Sequence, residues 1–372
     1  MTKEYPPYIY GGAGVHIKNL SEHISKYIDV EVRCFGDQNF ETKNLKIKGY
    51  GEWKEIAELE KHSSVLRVLS TGLMISNENP NCSVVHTHTW YASFPGFLIK
   101  MLYNVPLVVT CHSLEPLRPW KADQIGRGYN LSLWVEKNVI ENADRVIAVS
   151  QEMKNDILKH FNIEEKKVVV IHNGVDIEKW KKVTTKKALE KYGVNGKYVL
   201  FVGRTTKQKG IETLLEAAKF INATVVIVTA GADTKEYFEE IKNKSESIKN
   251  VKFIGKMLTE EETIEFYSNA SVFVCPSIYE PFGIINLEAM ACKTPVVASY
   301  VGGIKEIIVD GETGFYVEPQ KPMELAKMVN IILENPELAR KMGENGRNRV
   351  VEKFSWDNIA KKTIELYKEI AH

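Results

Sequence analysis

Glu280 and Glu288 stand eight positions apart in a stretch, residues 277–291, that also carries Pro281, Phe282 and Gly283. The apolar run 271–275 ahead of them reads as a strand feeding a turn at Pro276-Ser277, with helical sequence resuming near Gly283. That places Glu280 on the connecting loop and Glu288 about two turns into the helix. The first amides of such a helix lack intrahelical partners, and a glycine there lets a ligand approach the backbone closely. Helix starts of this kind attract phosphate, while carboxylates accept from sugar hydroxyls. The combination suits a hydroxyl-rich ligand that carries a diphosphate.

A second loop, residues 203–210, follows the apolar run 198–202. Its Arg204 offers a planar fork of donors and its Lys209 a compact charge, both matched to phosphate oxygens. Lys207 reads as an ordinary solvated lysine. Gly11-Gly12-Ala13-Gly14 opens a helical pattern with Ile17, Leu20, Ile24 and Ile28 on its apolar face, so the loop can turn its amides toward a ligand. His112 ends the strand-like run 106–111. His86 and His88 share one face of another strand, a spacing that invites a metal reading. No acidic or cysteine partner completes a recognisable ligand spacing with them, and no metal is expected.

These residues need a scaffold, and the rest of the chain supplies one. At 372 residues it exceeds one ordinary core, so two domains are expected. With 44% hydrophobic and 26% charged residues it has the make-up of a globular protein. A formal net charge of +1 gives no reason to expect a nucleic-acid or anionic-membrane partner. No apolar run is long enough to span a membrane, and residues 1–7 lack a signal-peptide core. Cys34, Cys111 and Cys275 lie in apolar strand-like runs and read as free thiols, which points to a cytoplasmic protein.

Short, nearly continuous apolar strands alternate with helical patterns from end to end, for example 30–35, 106–111 and 145–149, then 198–202, 224–228 and 295–298. That pattern predicts two doubly wound α/β domains with parallel sheets, each binding ligands at the carboxyl ends of its strands. The Asn173-Gly174 turn signal and the lysine-rich segment 178–185 place the boundary after Asp176. The expected domains are 1–176 and 177–353, with a final helix in 354–372. Its stripe is Trp356, Ile359, Thr363, Leu366 and Ile370.

The Glu280-x7-Glu288 pair resembles the signature of retaining nucleotide-sugar glycosyltransferases with the GT-B fold, and the resemblance runs along essentially the whole chain. Glu4-Tyr5-Pro6-Pro7 before the glycine loop, Gly203-Arg204-x4-Lys209-Gly210 and the string 112–121 narrow it to the glycogen synthase branch, which includes maltose-1-phosphate synthases. The resemblance implies two Rossmann-like domains facing across a cleft, with the final helix returning to the first. It implies that Arg204, Lys209 and the amides of Phe282, Gly283 and Ile284 neutralise the departing nucleoside diphosphate. Glu280 would hold glucose hydroxyls, Glu288 the ribose, and His112 would approach the 6-hydroxyl and the reacting centre. Gly11, Gly12 and Gly14 would lie beside the donor phosphates and the acceptor.

The activity so implied is transfer of glucose from ADP-glucose to the non-reducing end of an α-1,4-glucan, with retention and with no cofactor or metal. The alternative is maltose-1-phosphate synthesis, with glucose 1-phosphate as acceptor. A related transferase or a sugar-nucleotide 2-epimerase shares the fold. Residues 255–258 would contact the base through backbone groups that serve adenine or uracil. Two departures stand out. Thr89 precedes Trp90 where many starch and glycogen synthases carry an aspartate. Only three residues precede Glu4, where relatives have an apolar strand, so the first strand of the first domain is expected to be missing.

Overall fold

The computed structural model describes residues 1–9, 11–57 and 63–371. They form two units, Met1–Asn173 with Trp356–His372, and Gly174–Ser355. One boundary falls inside the Asn173-Gly174 turn, the other immediately before the final helix.

The first unit contains β1 (Val30–Phe35), β2 (Asn39–Glu41), β3 (Leu45–Tyr50), β4 (Val85–His88), β5 (Leu107–Cys111), β6 (Arg145–Ala148) and β7 (Val168–Val170). They make a three-stranded sheet, order β1-β3-β2, and a four-stranded sheet, order β4-β5-β6-β7. All pairs are parallel except β2 with β3. The sequence reading omits β2 and β3. β2 is three exposed residues, and β3 alternates buried Leu45 and Ile47 with Lys46 and Lys48, a half-buried pattern rather than a continuous apolar run.

Among the described residues, Met1 and Thr2 supply the backbone between β1 and β4. The Met1 amine donates to His86 O at 2.6 Å, His88 N donates to Met1 O at 3.1 Å, and Thr2 N donates to Arg33 O at 3.0 Å. Thr2 forms a parallel bridge with Cys34. Two residues thus occupy the place of a central strand and lead directly into the glycine loop.

The helix Gly12–Ile24 buries Gly14, His16, Ile17, Leu20 and Ile24. Ile28, expected on the same face, lies past the helix end and is exposed, because the chain turns away after Ser25. The final helix, Trp356–Ile370, belongs to this unit's core. Its Trp356, Ile359, Ala360, Leu366 and Ile370 cluster with Leu20, Ile24, Val108 and Ile147. Each buried side chain of that size contributes roughly 1.5–3 kcal/mol of transfer free energy.

The second unit contains β8 (Tyr198–Thr205), β9 (Thr224–Ala232), β10 (Val251–Ile254), β11 (Val272–Cys275), β12 (Val296–Ser299) and β13 (Gly314–Val317). They form one parallel sheet, order β10-β9-β8-β11-β12-β13. The order reverses between β8 and β11, the kind of switch point at which open α/β sheets bind ligands beyond the carboxyl ends of their strands. Arg204, expected on a loop, lies within the extended end of β8, while Lys209 follows β8 and Glu280 follows β11. Among the described residues, no helix is long and apolar enough to cross a membrane.

Candidate active site

In the second unit the sheet brings the two loops together and short-range contacts lock them. Gly210 adopts φ +63°, and a Cβ there would stand 2.0 Å from Pro276 O, so only glycine permits this approach. Ile278 N donates to Gln208 O at 2.7 Å. The result is an ion pair between Lys209 Nζ and Glu280 Oε2 at 2.5 Å, with side chains only 14% and 9% exposed. Ser277 Oγ donates to the same carboxylate oxygen at 3.2 Å. Burial pulls the Lys209 pKa down, but the Glu280 carboxylate outweighs it and the net shift is upward, so Lys209 is a fixed cation.

Glu280 is also held from below. Gly303 N donates to its carbonyl at 3.2 Å, and a Cβ on Gly302, at φ +50°, would lie 1.9 Å from that oxygen. The Gly302-Gly303 pair was absent from the sequence reading; a Gly-Gly turn just past a parallel strand was the signal available. Arg204 is different: it is half exposed, with Nη2 3.9 Å from Asp233 Oδ1 at the end of β9. It is the solvent-accessible cation of the set, with a fork of donors suited to a phosphate.

Gly283, at φ +99°, caps the helix Ile284–Ala291, and a side chain there would strike Asn286 Nδ2 at 2.6 Å. Asn286 Nδ2 donates back to Gly283 O at 3.1 Å and fixes the turn. Phe282 is buried against Phe354, so its contribution to a ligand is its backbone alone. Ile284 is half-buried as the first residue of that helix. Glu288 is the fifth residue of the helix, little more than one turn in rather than two, because the loop stays non-helical through Gly283. Its carboxylate accepts from Tyr267 OH at 3.3 Å, and burial pushes its pKa up to about 7. Tyr267 is a partner that no sequence spacing indicated.

In the first unit, Gly11 N donates to Glu4 Oε2 at 3.0 Å. A Cβ on Gly14 would stand 2.8 Å from that same oxygen. Glu4 therefore braces the glycine loop, and Gly12 begins the helix behind it. His112 follows β5 and is half-buried, with its pKa brought down to about 4 by burial. At neutral pH it is an uncharged hydrogen-bonding group.

Its neighbours form a cluster that no sequence spacing indicated. His112 Nε2 lies 3.1 Å from His88 Nδ1, and the His16 ring stands edge-on to His112 at 4.7 Å. His16, His88 and His112 each offer a ring nitrogen within 4.8 Å of the others, a set able to ligate a metal ion. The strand-face pair His86 and His88 is not that set. His86 is bonded instead to Thr110 Oγ1 at 2.7 Å and Tyr367 OH at 2.6 Å. The other two rings come from distant helix and loop positions, which proximity along the chain could not reveal. Among the described residues, neither His16 nitrogen has a partner of hydrogen-bond geometry, although Asn173 lies close to the ring.

Two Rossmann-like units, one carrying a buried lysine–glutamate pair and a phosphate-ready helix start at its topological switch point, define a GT-B glycosyltransferase. The comparisons agree with that class. The model of glycosyl transferases group 1 matches residues 184–349, and that of glycosyltransferase family 4 matches residues 10–179. The alpha-maltose-1-phosphate synthase of Mycolicibacterium smegmatis is 41% identical over 389 residues, covering 100% of this chain and 98% of that one. The glycogen synthase of Mycobacterium tuberculosis is 26% identical over 391 residues, covering 98% and 92%. Among solved structures, the sucrose-phosphate synthase of Thermosynechococcus elongatus superposes with a TM-score of 0.82 at 26% identity, over 99% of this chain and 95% of that one. The chain belongs to the group 1 family of GT-B glycosyltransferases.

Proposed function

We propose that this glycosyltransferase is a maltose-1-phosphate synthase, moving glucose from ADP-glucose to glucose 1-phosphate with retention of configuration. The observation that carries this reading is full-length identity of 41% to an alpha-maltose-1-phosphate synthase against 26% to a glycogen synthase. The alternative of the sequence reading therefore displaces its first choice of a glucan acceptor.

In the reaction the bond from the donor's anomeric carbon to the diphosphate oxygen breaks. A bond to the acceptor's 4-hydroxyl oxygen forms on the same face, and the hydroxyl proton passes to the departing phosphate. Lys209, held charged by Glu280, and Arg204 take up the negative charge of the leaving group together with the amides at Gly283 and Ile284. Glu280 keeps one carboxylate oxygen for glucose hydroxyls, and Glu288 receives the ribose. His112, neutral, orients the transferred sugar as a hydrogen-bonding group and not as a cation.

The test is a donor screen with ADP-glucose and UDP-glucose, each run with glucose 1-phosphate and with glycogen, detecting released nucleoside diphosphate and identifying the product by mass. Maltose 1-phosphate from ADP-glucose is expected. Elongated glycogen with no maltose 1-phosphate would return the assignment to glucan synthesis.

A further inference from the structure

We propose that Lys3 and Arg118, with Lys121 behind them, form a subsite for the phosphate monoester of the acceptor. The inference rests on the reading of glucose 1-phosphate as acceptor and adds which residues recognise its charged end. All of these groups lie within the first unit.

Three cations gather around one aromatic ring and one loop. Lys3 Nζ lies 4.1 Å and Lys121 Nζ 5.7 Å from the centroid of the Tyr91 ring. Arg118 Nη1 donates to Ser113 Oγ at 3.0 Å, immediately beside His112. Lys121 and Arg118 converge on Glu115 Oε1, at 2.7 and 3.9 Å. Lys121 is buried and tied to Glu115, whose other oxygen accepts from Ser132 Oγ at 2.8 Å. Its role is to neutralise that buried carboxylate and keep the loop positively biased.

Lys3 and Arg118 are the cations left for a ligand. Lys3 is half-buried, with its ammonium over the Tyr91 ring. Burial lowers its pKa, and the charge of Glu4 offsets this only in part. Glu4 itself is engaged by the amide of Gly11. Arg118 keeps about a quarter of its side chain in solvent and makes no contact to Glu115 shorter than 3.9 Å. Nor does the nearby Glu136 cancel this surplus. Burial and the Glu115 charge raise its pKa to about 8, so it is largely uncharged at neutral pH.

Position completes the argument. Lys3 precedes the glutamate that braces the glycine loop, and Arg118 is bonded to the residue after His112, so the cations adjoin both acceptor-side features of this unit. A neutral glucan would gain little from half-buried cations whose desolvation it could not offset. A phosphate monoester offers three acceptor oxygens, enough for the Arg118 fork and the Lys3 ammonium together.

The experiment is steady-state kinetics of the full chain with ADP-glucose, comparing wild type with Lys3→Met, Lys3→Arg, Arg118→Met and Arg118→Lys. Glucose 1-phosphate and maltotriose serve as acceptors, and thermal unfolding monitors folding. Either methionine variant should raise KM for glucose 1-phosphate about 10- to 100-fold, the effect of losing one charge-assisted hydrogen bond. Preference for glucose 1-phosphate over maltotriose should fall in parallel, and the charge-conserving variants should recover part of the loss. If wild type uses glucose 1-phosphate and both methionine variants keep its KM, the subsite is wrong and the functional reading stands. If wild type extends maltotriose but never glucose 1-phosphate, the functional reading fails and the subsite with it.

Discussion

The pairing of Lys209 with Glu280 makes a demanding prediction, because the two candidate site residues also hold each other in a poorly solvated place. Glu280→Gln keeps the shape and the bond from Ser277 but leaves the Lys209 ammonium facing a neutral amide. Removing one member of a buried ion pair costs about 3–5 kcal/mol, since the remaining charge is desolvated without compensation. Side-chain exposures of 14% and 9% place this pair in that regime rather than among surface pairs worth about 1 kcal/mol or less. For a unit of 150–250 residues, each kcal/mol moves Tm by roughly 2–4 °C, so a loss of roughly 6–20 °C is expected in the transition of the second unit.

The upward shift of Lys209 sets the alkaline limit. Its folded pKa lies above the unfolded value, so the lysine's contribution is fully present at neutral pH and is lost only as pH rises above about 10. Measurements at pH 7–8 therefore see the full effect. Thermal unfolding followed by circular dichroism should show Lys209→Met/Glu280→Met more stable than either single variant, with strong non-additivity. A shift below about 2 °C for Glu280→Gln, or additive single-variant effects, would refute the buried-pair argument. Kinetics taken below the transition should separately show Lys209→Met slowed on the order of 10²–10³-fold, the scale of one lost donor to transition-state charge.

Two further outcomes follow from the same geometry. Gly302→Ala should cost several times as much stability as Gly311→Ala. Both glycines have positive φ, worth about 1–2 kcal/mol, but only Gly302 would drive a Cβ into Glu280 O, whereas Gly311 faces open space; equal losses in urea titrations would contradict this. His112, depressed to about 4 from 6.5, contributes stability that is complete above pH 6.5 and is lost as pH falls toward 4, on the order of 3 kcal/mol. Its replacement by glutamine should therefore flatten the decline in unfolding midpoint between pH 7 and 5, and an unchanged slope would show that His112 is not held neutral.

The amino-acid sequence by itself determined the parts whose physics is local. Continuous apolar runs announced most of the parallel strands, since strands covered on both faces leave no room for polar residues. The placement of Lys209, Glu280 and Gly283 outside the strands was legible because each follows such a run, whereas Arg204 fell inside the longer β8. β2 and β3 escaped because an exposed or half-buried strand leaves only a short alternation, and Glu288 was set too deep because a non-helical Gly283 shortens the helix before it. Tertiary structure alone decided what stands opposite what. It joined Lys209 to Glu280 across the reversal of strand order, Tyr267 to Glu288, His16 to His88 and His112, and Lys3 and Lys121 to one tyrosine ring. Those contacts arise from sheet order and loop crossing, which act between residues far apart in the chain, so no local pattern encodes them.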